Sequence, residues 1–149
     1  MSKYKNTLIG AGIAVFLLAL FIVPRLGKPN ETGDGSGVPC LVPNVDLVMH
    51  IHAVLTITVD GKDETVPANI GLGGSCEHAL HTHDTTGTLH VESQTIRDWA
   101  LGDFFQLWGK TIERDGYSVT MTVDGKPSQE LNNLVLKDKQ QIKLAYTKQ

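Results

Sequence analysis

The pattern of apolar and polar residues divides the chain into an apolar N-terminal segment, a polar tract and a region of short alternations. Residues 7–23, TLIGAGIAVFLLALFIV, contain no charged side chain and are followed by Pro24 and Arg25. A helix of this length rises roughly 26 Å at about 1.5 Å per residue, just enough to cross a bilayer. The pattern predicts a tail over residues 1–6 and a single transmembrane anchor over residues 7–24.

A cleaved signal peptide is the alternative for the same segment. The residues that close the apolar run, FIVPRLGKPN, contain no convincing small-residue cleavage site, which favours an uncleaved anchor. Residues 25–39 are rich in Gly, Pro, Ser and Asn and predict a flexible linker. The folded domain is therefore expected over residues 40–149, and the anchor would attach it to the membrane.

Alternating apolar and polar residues predict short strands in the C-terminal part of the chain. Residues 47–59 are rich in β-branched side chains and end at Asp60-Gly61, a hairpin turn signal. Further strands are expected at 62–67, 88–92, 117–123, 131–136 and 141–146, with a Gly-rich loop at 69–75. Residues 101–108, LGDFFQLW, have apolar side chains at helical spacing and are followed by Gly109 as a cap.

These elements predict an α+β fold, with a small mixed sheet and one main helix. A β-grasp-like arrangement, in which the helix lies across the sheet, is the first expectation, and a small β-sandwich is the alternative. Without residues 1–28, which hold four of the 13 basic residues, nine basic and 16 acidic residues remain, a net charge of about −7. An acidic domain without a basic stripe argues against a nucleic-acid partner.

Cys40 and Cys76 are the two cysteines of the chain. If the domain lies outside the cytoplasm, they predict one disulfide that closes a loop of roughly 35 residues. In the alternative interpretation, Cys76 is a metal ligand in the sequence Cys-Glu-His and Cys40 joins it. If the domain is exported, the disulfide is favoured over the metal-ligand interpretation.

All six histidines lie in a 41-residue window. His50 and His52 are two residues apart on a predicted strand, so their side chains point to the same face of the sheet. His81 and His83 have the same spacing. The two pairs can converge if their segments are neighbours in the sheet. The predicted metal ligands are His50, His52, His78, His81, His83 and His90.

Imidazole nitrogen suits zinc and copper, so the predicted cofactor is a copper or zinc ion. Nearby carboxylates at Glu77, Asp84 and Glu92 are candidate oxygen ligands, partners that orient the histidines, or general bases. A pH-sensing histidine cluster and incidental clustering are the alternatives, although neighbouring histidines without a metal would repel one another when protonated. Residues 137–139, Lys-Asp-Lys, are interpreted as a solvated turn.

Three strings resemble a group of uncharacterised small extracytoplasmic prokaryotic proteins. They are HIHAVLTITVDGKDETVPANIGLGG, LHTHDTTGTLHVES and LGDFFQLWGK. The resemblance covers about residues 48–110, and its marks are a His-x-His strand, a His-Thr-His-Asp box and a Leu-Gly-x-Phe-Phe helix. It implies export but no activity, and it implies a shared site at His50, His52, His81, His83, Asp84 and His90.

Three functions remain open at this point. The first is a membrane-anchored extracytoplasmic protein that holds or delivers copper or zinc, with a membrane-protein partner within reach of the linker. The second is a metal-dependent enzyme (a hydrolase, lyase or oxidoreductase) with three histidines and an open position for water. The third is a structural metal site in an interaction domain or a membrane-complex subunit. Catalytic residues are not assigned.

Overall fold

The structure, a computed structural model, describes residues 35–73 and 76–149. The predicted tail and anchor, and residues 25–34 of the predicted linker, lie outside this range. Within it, no helix has the length and apolar character needed to cross a membrane. The account of the fold therefore concerns the histidine-containing domain.

The described domain is built from short strands and one α-helix. Its strands are β1 (Met49–Val59), β2 (Lys62–Glu64), β3 (Leu72–Gly73), β4 (Cys76–Glu77), β5 (Leu80–His81), β6 (Thr88–Ser93), β7 (Tyr117–Val123), β8 (Lys126–Ser128) and β9 (Gln141–Lys148). The α-helix, α1, spans Leu101–Trp108, and a short 3-10 helix spans Leu131–Asn133.

Seven of these strands form one mixed sheet in the order β5-β6-β1-β9-β7-β8, with β2 paired to the end of β1. The central strands β1 and β9 are parallel, and their other neighbours are antiparallel. Strands β3 and β4 form a separate two-stranded ladder. The predicted α+β class, with a mixed sheet and one main helix, is confirmed.

The core occupies one face of the sheet because apolar and polar side chains alternate along β1 and β6. Leu55 and Ile57 of β1 are buried, as are Leu89 and Val91 of β6. Successive strand side chains point to opposite faces, so the residues between them face away from this core. The histidines of both strands occupy those intervening positions.

Helix α1 begins and ends where its sequence predicts. The Asp103 carboxylate accepts the backbone N–H of Ala100 at 2.9 Å and so satisfies a donor at the N-terminus. Gly109 takes the left-handed conformation with φ 71° and closes the C-terminus. Phe104 and Phe105 are buried in the core.

The predicted strand at 131–136 is wrong. Its first three residues form the 3-10 helix, and Val135 makes only an isolated bridge to Ala100. Leu134 and Leu136 are buried, and the backbone of this segment bonds to Trp99, just before α1, and to Leu101, its first residue. Its apolar alternation therefore reflects core packing beside the helix.

Two other boundaries differ from the sequence prediction. Strand β2 ends at Glu64, three residues before Pro67. A proline has no N–H to donate to a strand ladder, so the predicted continuation through residue 67 is unfavourable. Part of the predicted loop at 69–75 pairs as β3 with β4.

Cys40 and Cys76 form a disulfide, with their Cα atoms 5.4 Å apart. The alternative in which Cys76 is a metal ligand is therefore wrong for this oxidised chain, since thiolate is the form that binds metals. Backbone hydrogen bonds flank the bridge, from Leu41 N–H to Glu77 O at 2.7 Å and from Ala79 N–H to Pro39 O at 3.0 Å. The start of the domain is thus fixed beside the segment that leads to the histidines.

Removing this bridge should destabilise the domain. The cysteines are 36 residues apart, and a closed loop of that length stabilises a fold by about 4 kcal/mol in the chain-entropy model. The Cys40→Ser/Cys76→Ser variant should lose that amount in urea unfolding at pH 7. A loss below about 1 kcal/mol would show that the bridge contributes little to the free energy of unfolding.

Candidate metal centre

Cross-strand pairing aligns three histidines in one row across the sheet. His52 of β1 lies opposite His90 of β6, and His81 of β5 lies on the other side of His90. Directly opposed residues of antiparallel strands have Cβ atoms about 5 Å apart on the same face. The pairing register therefore brings the three imidazoles together.

Two more histidines extend this row into a contiguous cluster. The ring centroids of His50 and His52 are 4.6 Å apart, and those of His52 and His90 are 4.7 Å apart. His83 lies 4.5 Å from His90 and 4.7 Å from His81, while His81 and His90 stack at 5.4 Å. We call these five residues the histidine cluster.

The histidine cluster and Glu92 together form two sets of side chains, and within each set the ligand atoms lie within 4.8 Å of one another. The inner group is His81, His83, His90 and Glu92. The outer group is His50, His52 and His90. The two groups share His90, and each reaches solvent, because His83 of the inner group and His50 of the outer group are exposed. Only His81 is fully buried.

Hydrogen bonding orients His81 for metal binding. Its Nδ1 lies 2.8 Å from the carbonyl oxygen of His78. A carbonyl only accepts hydrogen bonds, so Nδ1 carries the proton and Nε2 carries the lone pair. This tautomer is assigned from the hydrogen-bond network.

Nε2 of His81 lies within hydrogen-bond distance of Nε2 of His83, at 3.1 Å. Two imidazole nitrogens on one tetrahedral zinc ion, at about 2.0–2.1 Å each, would be about 3.3–3.4 Å apart. Adjacent ligands of a square-planar copper ion would be about 2.9 Å apart. The observed spacing lies between these values and suits both metals.

His90 contributes a buried nitrogen that lacks a partner. Its Nδ1 has no hydrogen bond to any residue that the structure describes. Burial lowers the pKa of His90 from 6.5 to about 4, and repulsion from His83, His52 and His81 adds to this effect. The ring is therefore neutral at pH 7, which is the form that binds metals.

Burial also lowers the pKa of His81, with repulsion from His83 as a smaller cause. The backbone hydrogen bond to His78 and the charges of Glu92 and Glu77 act in the opposite direction. The most buried member of the inner group is thus held neutral as well. Protons compete weakly with a metal for these two imidazoles near neutral pH.

Two carboxylates lie beside the outer group, one near His50 and one near His52. Glu92 Oε1 is 3.3 Å from Nε2 of His50. Asp138 Oδ1 is 4.0 Å from Nδ1 of His52 and accepts the His52 backbone N–H at 3.1 Å. The sequence did not predict Asp138 as a neighbour of the cluster, because its contact with His52 spans 86 residues and no local pattern indicates it.

Three predicted site residues lie outside both ligand groups. Asp84 is exposed and accepts hydrogen bonds from the backbone and hydroxyl of Thr86, which lower its pKa. Glu77 is exposed on β4. The buried His78 ring donates from Nδ1 to Val38 O at 2.7 Å and lies beside the disulfide, so its backbone carbonyl is what reaches the cluster.

Thr82, between the two histidines of the His-Thr-His box, anchors the site. It is fully buried, and its hydroxyl donates to Pro67 O at 2.8 Å. Its N–H donates to Ile70 O at 3.0 Å, and its carbonyl accepts from Asn69 N–H at 2.8 Å. These bonds hold the loop at residues 67–71 against the segment that carries His81.

Comparison of the chain with protein-family models, curated proteins and solved structures found no match. The functional inference therefore depends on the chemistry and geometry of the cluster.

Replacing Gly71 should disturb the site through the loop at residues 67–71. Gly71 has φ +75°, and an added Cβ would collide with the carbonyl oxygen of Leu80 and lie 3.1 Å from Cβ of His81. We expect Gly71→Ala to lower the free energy of unfolding by more than about 2 kcal/mol and to weaken metal binding. Urea unfolding and metal titration measure both effects.

Gly61→Ala is the matched control, since Gly61 has φ +78° and open space around an added Cβ. It carries the backbone strain alone, about 1 kcal/mol or more, without the collision. Equal losses of stability in the two variants would contradict the proposed close approach at Gly71.

The metal-free domain should lose stability in mild acid. Imidazoles of the unfolded chain take up protons near pH 6.5, whereas His90 of the folded chain does so only near pH 4. Between these values the unfolded state binds more protons, so the free energy of unfolding falls as the pH decreases. From pH 7 to pH 5 we expect a loss of about 1–2 kcal/mol after allowance for solvent screening.

Urea unfolding at the two pH values measures this loss, and His90→Leu should reduce it. An unchanged pH dependence in His90→Leu would show that the titrating group lies elsewhere.

Proposed function

We propose that this chain is a membrane-anchored extracytoplasmic protein that binds copper or zinc through its histidine cluster. The observation that carries the proposal is the inner group, in which a buried His81 is oriented by its carbonyl partner beside His83 and the orphaned nitrogen of His90. These three imidazoles would hold the ion, and Glu92 offers a carboxylate oxygen. Four nitrogen and oxygen donors suit Zn(II) or Cu(II) better than Cu(I).

Without a bound ion, the buried Nδ1 of His90 has no partner among the described residues. An unpaired buried polar atom costs on the order of 1–3 kcal/mol. A bound ion supplies the missing partner for a lone pair. The proposed site thus explains both the orphaned nitrogen and the clustering.

Location outside the cytoplasm is supported by the disulfide, which persists in oxidising compartments. The anchor at residues 7–24 rests on the apolar run in the sequence. The predicted end of the flexible linker at residue 39 is too late, because Ser36 and Val38 are buried and Pro39 O accepts the N–H of Ala79. A linker over residues 25–35 would span roughly 18 Å on average, so the domain could reach a partner in the same membrane. The resemblance to small extracytoplasmic proteins supports the same location.

We also propose a β-grasp-like fold for the domain. The parallel pair β1 and β9 lies at the centre of the sheet, and α1 lies in the connection between β6 and β7. The remaining neighbours are antiparallel. This arrangement supports the topology that the sequence favours.

Binding or delivery of the metal is favoured over catalysis by the surroundings of the cluster. The clefts described for this domain, including one of about 620 Å³ beside Trp108 and Arg114, are lined by residues outside the histidine cluster. An enzyme normally holds its substrate in a pocket next to the metal. A solvent-facing cluster suits exchange of the ion with a partner.

A metal-dependent hydrolase or lyase is the second candidate, and the position of Glu92 favours it. If Glu92 does not ligate the ion, three histidines leave a coordination position for water. The carboxylate would then stand beside that water as a general base. Glu92→Gln distinguishes the two roles, because loss of a ligand weakens metal binding whereas loss of a base leaves it intact.

Metal content tests the proposal. The full chain, without an affinity tag that binds metals, is produced in a host that exports it and is analysed by mass spectrometry for bound metals. We expect about one equivalent of zinc or copper, and a loss of at least tenfold in affinity for His81→Ala/His83→Ala.

His78→Asn is the control, because it removes the histidine outside both ligand groups while an amide can still donate to Val38 O. It should keep its metal, provided that its circular dichroism matches the wild type. A wild-type chain that contains no metal and takes up none on reconstitution would contradict the proposal.

A further inference from the structure

We infer that reduction of the disulfide opens a second metal site, in which the thiolates of Cys40 and Cys76 and the ring of His78 bind Cu(I). We call these three residues the sulfur group. In the oxidised chain the two sulfurs are bonded to each other and bind no metal. The inference concerns side chains outside the histidine cluster and the reduced state of the chain, so it goes beyond the proposed function.

Strand pairing brings the three side chains of the sulfur group onto one face. Cys40 and His78 lie directly opposite each other in an isolated antiparallel bridge. Cys76 lies two residues before His78 on the same extended segment, so its side chain points to the same face. The two sulfurs and a ring nitrogen of His78 lie within 4.8 Å of one another. The donors therefore surround one small volume.

Backbone hydrogen bonds hold this arrangement independently of the disulfide. Leu41 N–H donates to Glu77 O at 2.7 Å, and Ala79 N–H donates to Pro39 O at 3.0 Å. These bonds flank the bridge between Cys40 and the opposite segment on both sides. Cleavage of the bond between the sulfurs leaves them in place, so the two cysteines remain beside each other in the reduced chain. An ion bound between the thiolates would then replace the covalent link.

The donor atoms suit Cu(I). The buried His78 ring donates from Nδ1 to Val38 O at 2.7 Å, so Nε2 carries the lone pair. Thiolates are soft ligands that select Cu(I) or zinc, and a structural zinc site normally has four protein ligands, whereas three donors satisfy Cu(I). Two thiolates at about 2.3 Å from one ion lie about 4 Å apart. The Cα atoms of the cysteines, 5.4 Å apart, allow this spacing.

The disulfide is accessible to a reductant. Both cysteines are partly exposed, and Cys76 lines an open cleft of about 430 Å³. The reductant is a dithiol, whose thiolate attacks one sulfur to form a mixed disulfide that its second thiol then resolves. Two electrons and two protons pass to Cys40 and Cys76, and the dithiol becomes a disulfide. Cu(I) then displaces the two thiol protons, which pass to water.

The sulfur group and the inner group lie on two sides of one residue. The His78 carbonyl accepts the hydrogen bond from Nδ1 of His81, whereas the His78 ring belongs to the sulfur group. The inner group offers nitrogen and oxygen donors, which suit Cu(II), and the sulfur group offers two thiolates, which suit Cu(I). The reduced chain could therefore bind copper in either oxidation state at neighbouring positions.

Cu(I) binding by the oxidised and reduced full chain in detergent tests the inference. The chain is reduced with dithiothreitol and desalted without oxygen, and Cu(I) is supplied with ascorbate, which reduces Cu(II) but leaves disulfides intact. Competition with bicinchoninate gives the number of Cu(I) equivalents and Kd, and near-UV circular dichroism reports on the fold. His78→Asn removes the imidazole. Glu77→Gln is the matched control, because Glu77 is exposed on the opposite face of the same segment.

We expect the reduced wild type to bind one more equivalent of Cu(I) than the oxidised wild type, at least about tenfold more tightly than the oxidised chain binds this ion. His78→Asn should weaken this added equivalent by about tenfold, and Glu77→Gln should match the wild type. Cys40→Ser/Cys76→Ser should lack the added equivalent. The near-UV spectrum of the reduced chain with Cu(I) should match that of the oxidised chain.

Four results would overturn the inference. They are a disulfide that dithiothreitol leaves intact in the folded chain, a reduced and folded chain that gains no equivalent, equal affinity in His78→Asn and the wild type, and a near-UV spectrum that is lost on reduction and not restored by Cu(I). None of them bears on the metal content of the oxidised chain, which tests the proposed function separately.

Discussion

The pairing register of β5, β6 and β1 is the constraint on which the rest of the site depends. It sets His81, His90 and His52 in one row on one face of the sheet, while the apolar residues between them fill the core on the other face. A slip of one residue would exchange the two faces, exposing Leu89 and burying His90 in apolar surroundings. Burial of the core and assembly of the candidate metal ligands are therefore one structural event, because a chain that folds in this register also brings its imidazoles together.

The elements around this row make it rigid. The disulfide joins the start of the domain to Cys76 of β4, two residues before His78. The carbonyl of His78 accepts the hydrogen bond from Nδ1 of His81. Thr82 holds the loop at residues 67–71 against the segment that carries His81, through hydrogen bonds of its side chain and of its backbone. Burial lowers the pKa values of His81 and His90 and so favours their neutral form. A site arranged before an ion arrives would require little reorganisation on binding.

Local sequence pattern was sufficient to predict the strands, the helix and the pairing of histidines on one face, because each depends on a period of two or of 3.6 residues. It was insufficient where distant segments meet. Residues 131–136 alternate like a strand, yet Leu134 and Leu136 pack beside α1 and the backbone forms only one bridge. The sequence places Asp138 in a solvated turn. Because β1 and β9 pair in parallel, the turn that precedes β9 lies beside His52, and Asp138 accepts the His52 backbone N–H. The distinction between His78 and the five clustered histidines likewise required the register, since spacing along the chain treats all six alike.

The most direct measurement of the central claim is the position of the ion itself. Crystals of the exported protein loaded with zinc or copper would give an anomalous difference map at the absorption edge of the metal. The account predicts one strong peak about 2.0–2.2 Å from Nε2 of both His81 and His83, with His90 as the third nitrogen ligand. A metal bound elsewhere, or no peak within reach of these three residues in fully loaded protein, would contradict it.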